Sequence, residues 1–486
     1  MEETSHNELL SIRRGKLDAL RASGVAPYGK RYDTTGRPGE IRATFAGDVA
    51  VRTAGRITAH RNMGKSHFLD LSDSTGRIQI YLNSKDVGPE AMAIFDCVDI
   101  GDFIGVEGVT FTTKAGEPSI KALSFTVLSK SLRPLPDKWH GVQDTEIKYR
   151  QRYLDLISNP ESLEVFKKRV AIVREIRRFL EARGYIEVET PMMQMIPGGA
   201  AAQPFETHHN ALGVDLFLRI APELYLKRLL VGGLGKVFEL NRNFRNEGIS
   251  RRHNPEFTML EIYCAFADFE LMAALVEEMV CHLAESICGG LKIERRAADG
   301  TVERTIDLSP PWRRARYADL IRGVKPDWYD ISSEARRDWC KTAGLDIGSC
   351  TEDFEVTQHV FEKLIEEKTM DPLFVTHCPK ELVPLAKQNP DDESIVDVYE
   401  LIINGQEISP GYSELNDPDI QRARLEQQSG GETQKLDEDF LHALEYGMPP
   451  AGGVGIGIDR LVMMLTSAES IRDVILFPHM RPRADA

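Results

Sequence analysis

Two stretches that alternate residue by residue constrain this chain more than anything else in it. In His253-Asn-Pro-Glu-Phe-Thr-Met-Leu-Glu-Ile-Tyr263, a period of two puts Phe257, Met259, Glu261 and Tyr263 on one face and Thr258, Leu260 and Ile262 on the other. The preceding stretch aligns Glu239, Asn241, Asn243 and Arg245 in the same way. The residues between Arg245 and Asn254 are rich in Asn, Gly, Ser and Arg, as in a loop joining antiparallel strands. A carboxylate sharing a face with Phe and Met is costly to bury unless a cation meets it. Such a hairpin carries an arginine, a ring able to stack and an acid, parts that suit an anionic, ring-bearing substrate beside a cationic one. By itself it is equally compatible with an ordinary hairpin bearing solvated charges.

A second alternation, Gly452-Gly-Val-Gly-Ile-Gly-Ile-Asp-Arg-Leu-Val-Met-Met-Leu465, leaves one strand face bare for close approach of a ligand and then turns helical. Asp459 is placed to cap that helix. Arg460 falls in its first turn, unfavourable for a cation unless an anion or ring engages it. Upstream, 398–403, Asn404-Gly405 and 406–408 read as a two-residue hairpin. Ile402 then lies opposite Glu407, and Glu400 opposite Ser409, making the two acids diagonal neighbours about 7 Å apart at the backbone. They are either two solvated surface acids or a site bridged by a divalent cation, and oxygen ligands beside phosphates favour magnesium.

At 486 residues the chain exceeds one ordinary core, so two or more domains are expected. From 48 to 132 short strands (49–57, 66–71, 77–82, 102–112, 119–128) suggest a small barrel of the oligonucleotide-binding (OB) type. A helix over 7–23 precedes it, with Arg13, Arg14, Lys16 and Arg21 among its apolar positions. Ser66, Phe68 and Asp70 share one barrel face, as do Arg77, Gln79 and Tyr81 on the next strand. Phe68 therefore stands among polar groups, where a ring can stack on a base. Residues 51–82 hold five Lys/Arg against two Asp, the reverse of the overall net charge of −15. That net charge argues mildly against nucleic-acid binding, but it averages over such a basic face. Arg133-Pro-Leu-Pro-Asp137 reads as a linker. A long amphipathic helix follows, with Leu163, Phe166, Val170, Val173, Ile176 and Leu180 as its stripe and Gly184 as its stop. The remainder mixes helices with antiparallel strands, and 290–395 reads as helical decoration.

Seven scattered cysteines without a C-x-x-C pair argue against a disulfide framework or a zinc site. With no signal segment and no apolar run of membrane-spanning length, a cytoplasmic location is expected. Arg61-Asn-Met-Gly-Lys-Ser66 is not a phosphate loop, because Ala59 stands where that motif needs glycine.

Phe244-Arg-Asn-Glu247 and Gly455-Ile-Gly-Ile-Asp-Arg460 resemble motifs 2 and 3 of class II aminoacyl-tRNA synthetases. Pro197-Gly-Gly-Ala-Ala-Ala202, Leu218-Arg-Ile-Ala-Pro-Glu-Leu-Tyr-Leu-Lys-Arg228 and Ser413-Glu-Leu-Asn-Asp417 are similar to the bacterial lysyl branch. The resemblance implies an α+β protein: a helical extension (1–47), an OB-type anticodon-binding barrel (48–132), a linker (133–160) and a catalytic domain on an antiparallel sheet flanked by helices (161–486). Motifs 1, 2 and 3 would occupy about 161–192, 237–263 and 452–465. It further implies a homodimer that activates lysine with ATP and magnesium and charges tRNA(Lys), without binding membrane or DNA.

The implied ATP site is Arg245, Glu247, His253, Asn254, Phe257, Gly457 and Arg460, with Glu400 and Glu407 as metal ligands. The implied catalytic set is Arg245, Arg460, Glu400 and Glu407. For lysine, Gly199 and Glu223 would lie near the α-amine and Arg245 near the carboxylate. Glu261, Tyr263 and Glu414 would surround the ε-ammonium, with Tyr412 beside them. The anticodon would meet Arg61, Phe68 and Gln79. Three positions depart from the family pattern. Ser409-Pro410 replaces Gly-Asn, removing an amide side chain and a backbone donor. Gln203 replaces an arginine, and Ser124 an acid in the last barrel strand. Rival readings are a related ligase that lysylates a protein or charges another amine-bearing amino acid, and an RNA-binding protein on an inactive catalytic fold.

Overall fold

Apolar residues at every second position close the first unit's strands around a single interior. In the computed structural model, which describes residues 2–136, 144–200, 202–297, 299–383, 386–429 and 436–482, the chain forms two units, Met1–Gln143 and Asp144–Ala486. The first holds β1 (Ala50–Met63), β2 (Ser66–Asp73), β3 (Gly76–Asn83), β4 (Phe103–Thr112) and β5 (Pro118–Ser129), closed in the order β1-β2-β3-β5-β4. Ile57, Leu69, Leu71, Ile78, Ile80, Leu82, Ile104, Val106 and Ile120 fill the barrel. The N-terminal helix runs Glu2–Ala22. Leu17 and Leu20 are its buried residues, whereas Leu9 and Ile12 stay exposed. Lys16 pairs with Asp99 at 2.6 Å, and Arg13 donates to the carbonyls of Ile100 and Ser131. Those two cations thus fasten the helix to the barrel.

The second unit contributes β6 (Ile186–Glu187), β7 (Met193–Gln194), β8 (Phe205–His209), β9 (Val214–Leu218), β10 (Lys236–Phe244), β11 (Glu256–Ala265), β12 (Lys292–Arg296), β13 (Val302–Asp307), β14 (Arg313–Arg316), β15 (Leu373–Thr376), β16 (Val398–Ile403), β17 (Gln406–Ser413) and β18 (Ala451–Gly457). Eight of them form one sheet in the order β14-β15-β16-β17-β18-β11-β10-β6. Its pairs are antiparallel except β14/β15 and β10/β6. Helices Pro160–Glu181, Phe269–Leu283 and Ile458–Thr466 pack into the same core as this sheet.

Three expectations need correction. Helix Pro160–Glu181 buries Phe166, Ile172, Ile176, Phe179 and Leu180, while Val170 is 67% exposed, so its inner stripe is rotated from the one expected. The 290–395 region is more than helical decoration, since β14 and β15 extend the main sheet and β12/β13 form a separate pair. The supposed linker ends early, because helices Thr145–Arg150 and Arg152–Ser158 already belong to the second unit. Arg152 explains this. Fully buried, it pairs with Asp155 at 2.6 Å and donates to the carbonyls of Arg472 and Leu476. A buried guanidinium with all three nitrogens hydrogen-bonded anchors the segment. Among the described residues no helix is long and apolar enough to cross a membrane.

Candidate active site

β10 and β11 pair with Glu239 opposite Glu261, Asn241 opposite Met259 and Asn243 opposite Phe257. The alternation then acts as expected. Phe257, Met259, Glu261 and Tyr263 line a cavity of about 620 Å³, while Leu260 and Ile262 enter the core. Thr258, on the opposite face of that alternation, also touches the cavity. The backbone N–H of Arg245 donates to the Pro255 carbonyl at 2.8 Å, closing the loop base. Its guanidinium lies 5.2 Å from the Phe257 ring centre, and its Nε is buried without a hydrogen-bond partner. A cation held this way, with no acid of its own among the described residues, is prepared for an anionic ligand.

The glycine strand β18 lies beside β11, and Gly455 and Gly457 line the cavity. Asp459 does not cap the following helix, whose N-cap is Gly457 without a side-chain bond. Instead its two oxygens accept from Arg169 at 2.6 Å and from the Thr258 N–H at 2.8 Å, tying helix to strand. Arg460 donates to the Glu407 carbonyl at 2.9 Å and lies 3.2 Å from His253 Nε2. Burial, then the Arg460 charge, holds His253 below its ordinary pKa, so it is neutral at pH 7.

Asn404 and Gly405 take the positive φ values (61° and 68°) that a tight hairpin turn requires. Ile402 faces Glu407 as expected, but a β-bulge follows, and Glu400 pairs with Pro410 rather than Ser409. The extra residue is Ile408. Glu400, Glu407 and Pro410 all line the cavity. Burial, then repulsion by Glu407 and Glu366, pushes Glu400 up to about 8. Glu366 was not anticipated. Its Oε1 accepts from the Glu407 N–H at 3.1 Å, and burial and Glu407 raise its pKa as well. Carboxylates crowded this closely suit a divalent cation. No set of three His, Cys, Asp or Glu residues with metal-ligand placement occurs among the described residues, so a cation on Glu400 and Glu407 would draw its other oxygens from ligand or water.

At the other end, Glu223 opens helix Glu223–Val231 and lines the cavity. It accepts from Lys227 at 2.7 Å. The Tyr263 hydroxyl donates to Glu261 at 3.1 Å, and burial followed by the Glu223 charge pushes Glu261 up to about 8. Gly199 (φ 86°) and Tyr412 also line this end. A Cβ on Gly199 would meet Glu223 and Ala221 at 3.1 and 3.2 Å.

Glu414 is the exception: it does not line the cavity. It is buried against Gly453 of β18, with Lys227 2.5 Å from its Oε2 and its Oε1 without a hydrogen-bond donor. A Cβ on Gly453 would overlap that Oε1 and come 2.6 Å from the Tyr263 ring. Gly453→Ala is therefore expected to lower kcat/KM for the amino acid by about tenfold or more, leaving KM for ATP unchanged. Pyrophosphate exchange with each substrate varied in turn measures this split.

All the other expected residues of this unit reach the one cavity: Gly199, Glu223, Arg245, Glu247, His253, Asn254, Phe257, Glu261, Tyr263, Glu400, Glu407, Tyr412, Gly457 and Arg460. Glu381, Leu382 and Val383 reach it too, from a stretch where no sequence signal pointed to a site.

In the first unit, β1 pairs Arg61 with Phe68, and β2 pairs Asp70 with Gln79. Arg61 donates to Gln79 at 2.9 Å, and the half-buried Phe68 ring lies 5.2 Å from Tyr81. Buried Asp70 accepts from Arg61 and Arg77. Arg61, Phe68 and Gln79 thus form one outer face, a ring flanked by cations and an amide.

Residues 144–481 match the family profile described as tRNA synthetases class II (D, K and N), and residues 51–128 that of an OB-fold nucleic acid binding domain. The chain is 51% identical over 493 residues to a lysine--tRNA ligase of Pelotomaculum thermopropionicum, covering 99% of this chain and 96% of the relative. It is 48% identical over 494 residues to that of Syntrophomonas wolfei and 46% over 503 residues to that of Bacillus subtilis, each covering 99% of both chains. Because the synthetase profile runs through the Arg245 hairpin, the paired acids and the glycine strand alike, the chain belongs to the class II tRNA synthetases of the D, K and N group.

Proposed function

We propose that this protein is a lysine--tRNA ligase: lysine and ATP form lysyl-adenylate and pyrophosphate, and the lysyl group then passes to the terminal ribose of tRNA(Lys). One observation carries this reading. A single cavity is lined by acids at one end (Glu223, Glu261), paired acids at the other (Glu400, Glu407) and Arg245. Acids suit the two ammonium groups of lysine, and the guanidinium suits its carboxylate and the α-phosphate.

In the first step a lysine carboxylate oxygen bonds to the α-phosphorus, the bond to the bridging oxygen breaks, and pyrophosphate leaves. No side chain is needed as nucleophile. Catalysis is positioning and charge stabilisation. Arg245 faces both reacting anions, Phe257 stacks on the adenine, and Arg460 and neutral His253 bind the terminal phosphates. Asn254 and Glu247 frame the nucleotide, and Gly457 lets it approach the backbone. Glu400 and Glu407 would hold magnesium, which when bound neutralises phosphate charge. Glu223 and Gly199 receive the α-amine, and Glu261, Tyr263 and Tyr412 receive the side chain, with Glu414 behind them. Pro410 supplies shape where the family uses an amide, leaving the carboxylate to Arg245.

The barrel supports tRNA over a protein as acceptor, through Arg61, Phe68 and Gln79. Apolar side chains left open at Val170, Ile186, Met193 and Met195 support pairing with a second copy, and a cytoplasmic location follows from the role. Amino-acid-dependent ATP–pyrophosphate exchange with each standard amino acid tests the assignment. Lysine alone should support exchange, and exchange driven by another amino acid, or by none, would sink it. Phe68→Ala should raise KM for tRNA about tenfold or more, since stacking one base is worth about 1–3 kcal/mol. Pyrophosphate exchange should be unaffected. A parallel fall in both activities would make Phe68 a core residue.

A further inference from the structure

Around the acidic end of the cavity, four carboxylates are buried: Glu223, Glu239, Glu261 and Glu414. Two cations are buried with them, Arg219 and Lys227, both fully enclosed. Arg219 belongs to Glu239, at 2.6 Å. Lys227 stands between Glu223, at 2.7 Å, and Glu414, at 2.5 Å. Glu261 receives a hydrogen bond from the Tyr263 hydroxyl. The cluster therefore sets four acids against two bases, so its own cations do not meet every acid. The carboxylates of Glu223 and Glu261 stand on the cavity wall, and Glu414 Oε1, buried and without a donor, stands behind them.

We infer that Lys227 is a positioning residue that holds Glu414 as a carboxylate behind the recess that would receive a substrate's two ammonium groups, and so sets selectivity against substrates bearing only one. The inference rests on the lysine reading above. Lys227 engages one oxygen of Glu223, on the cavity wall, and one of Glu414, behind it. Without that ammonium the four acids would keep Arg219 as their one buried cation, an imbalance that buried acids relieve by binding a proton. Burial raises Glu414 to about 7 even with Lys227 pulling it down, so without Lys227 this acid would take the proton. A protonated Glu414 no longer draws an ammonium into the recess in preference to a hydroxyl, and discrimination falls.

The test uses the full chain, ATP–pyrophosphate exchange, and two substrates: lysine and 6-hydroxynorleucine, in which a hydroxyl replaces the ε-ammonium. In Lys227→Met, KM for lysine should rise about tenfold or more with KM for ATP unchanged, and the kcat/KM ratio between the two substrates should fall at least about tenfold. Lys227→Arg, which keeps the charge, should retain most of the ratio. Adding Glu414→Gln to Lys227→Met should cost little further, because both act on one pair. The double variant buries no unpaired charge at that pair, so it carries the same ratio measurement if the single variant does not fold. A ratio unchanged in the methionine variants, even with both activities lowered, would show a merely structural lysine and overturn the inference. Absence of lysine-dependent exchange in the wild type would instead refute the ligase reading.

Discussion

Arg245→Ala should lower lysine-dependent pyrophosphate exchange by about a few hundredfold, because losing one charge contact to the reacting anions costs about 3–4 kcal/mol of transition-state stabilisation. The protein should still fold. Among the described residues Arg245 has no ion pair or side-chain hydrogen bond and its Nε has no partner, so the fold gains little from it beyond contact with the Phe257 ring. Lysine-dependent exchange and thermal melting, measured on the same preparation, separate the two effects. Exchange within tenfold of wild type would remove Arg245 from the reaction.

Glu400→Gln combined with Glu407→Gln should abolish exchange and flatten its magnesium dependence. The same variant has an opposite effect on stability. Glu400 is raised from an ordinary carboxylate value to about 8, chiefly by burial and next by Glu407. A group whose folded pKa is raised favours the folded state below its unfolded value, and that contribution is lost as pH rises through the folded value. In metal-free buffer, the wild type should therefore lose stability between about pH 5 and pH 8 more steeply than the double variant. Magnesium should restore stability to the wild type alone. A magnesium titration of activity unchanged by the double substitution would make both acids bystanders.

Periodicity made the strand faces legible, since Phe257, Met259, Glu261 and Tyr263 needed only a period of two, and Asn404-Gly405 needed only its turn chemistry. What escaped was whatever depends on partners distant in sequence. Asp459 has the spacing of a cap but is drawn away by Arg169, 290 residues earlier. The Ile408 bulge, which sets Glu400 against Pro410, leaves no mark on composition or alternation. Val170 fits a helical stripe, but the sheet beneath selects Ile172 and Phe179. Glu366 and Glu381 are ordinary acids until a fold places them. The roles of Glu223 and Glu414 came from resemblance, and spacing alone did not reveal the Lys227 bridge joining them, though Glu223 and Lys227 stand four apart on one helix.

The order of the main sheet has a consequence for synthesis on the ribosome. β18, the last strand made, is inserted between β11 and β17. Until residue 457 has emerged, each of those strands presents an unpaired edge, and the apolar faces of both halves lack their middle. Open edges recruit other strands. A chain ending before Ala451 should therefore aggregate instead of forming a smaller working enzyme. The second unit must wait for its final few dozen residues before it can close, whereas the barrel, complete by Ser129, has all its strands long before then.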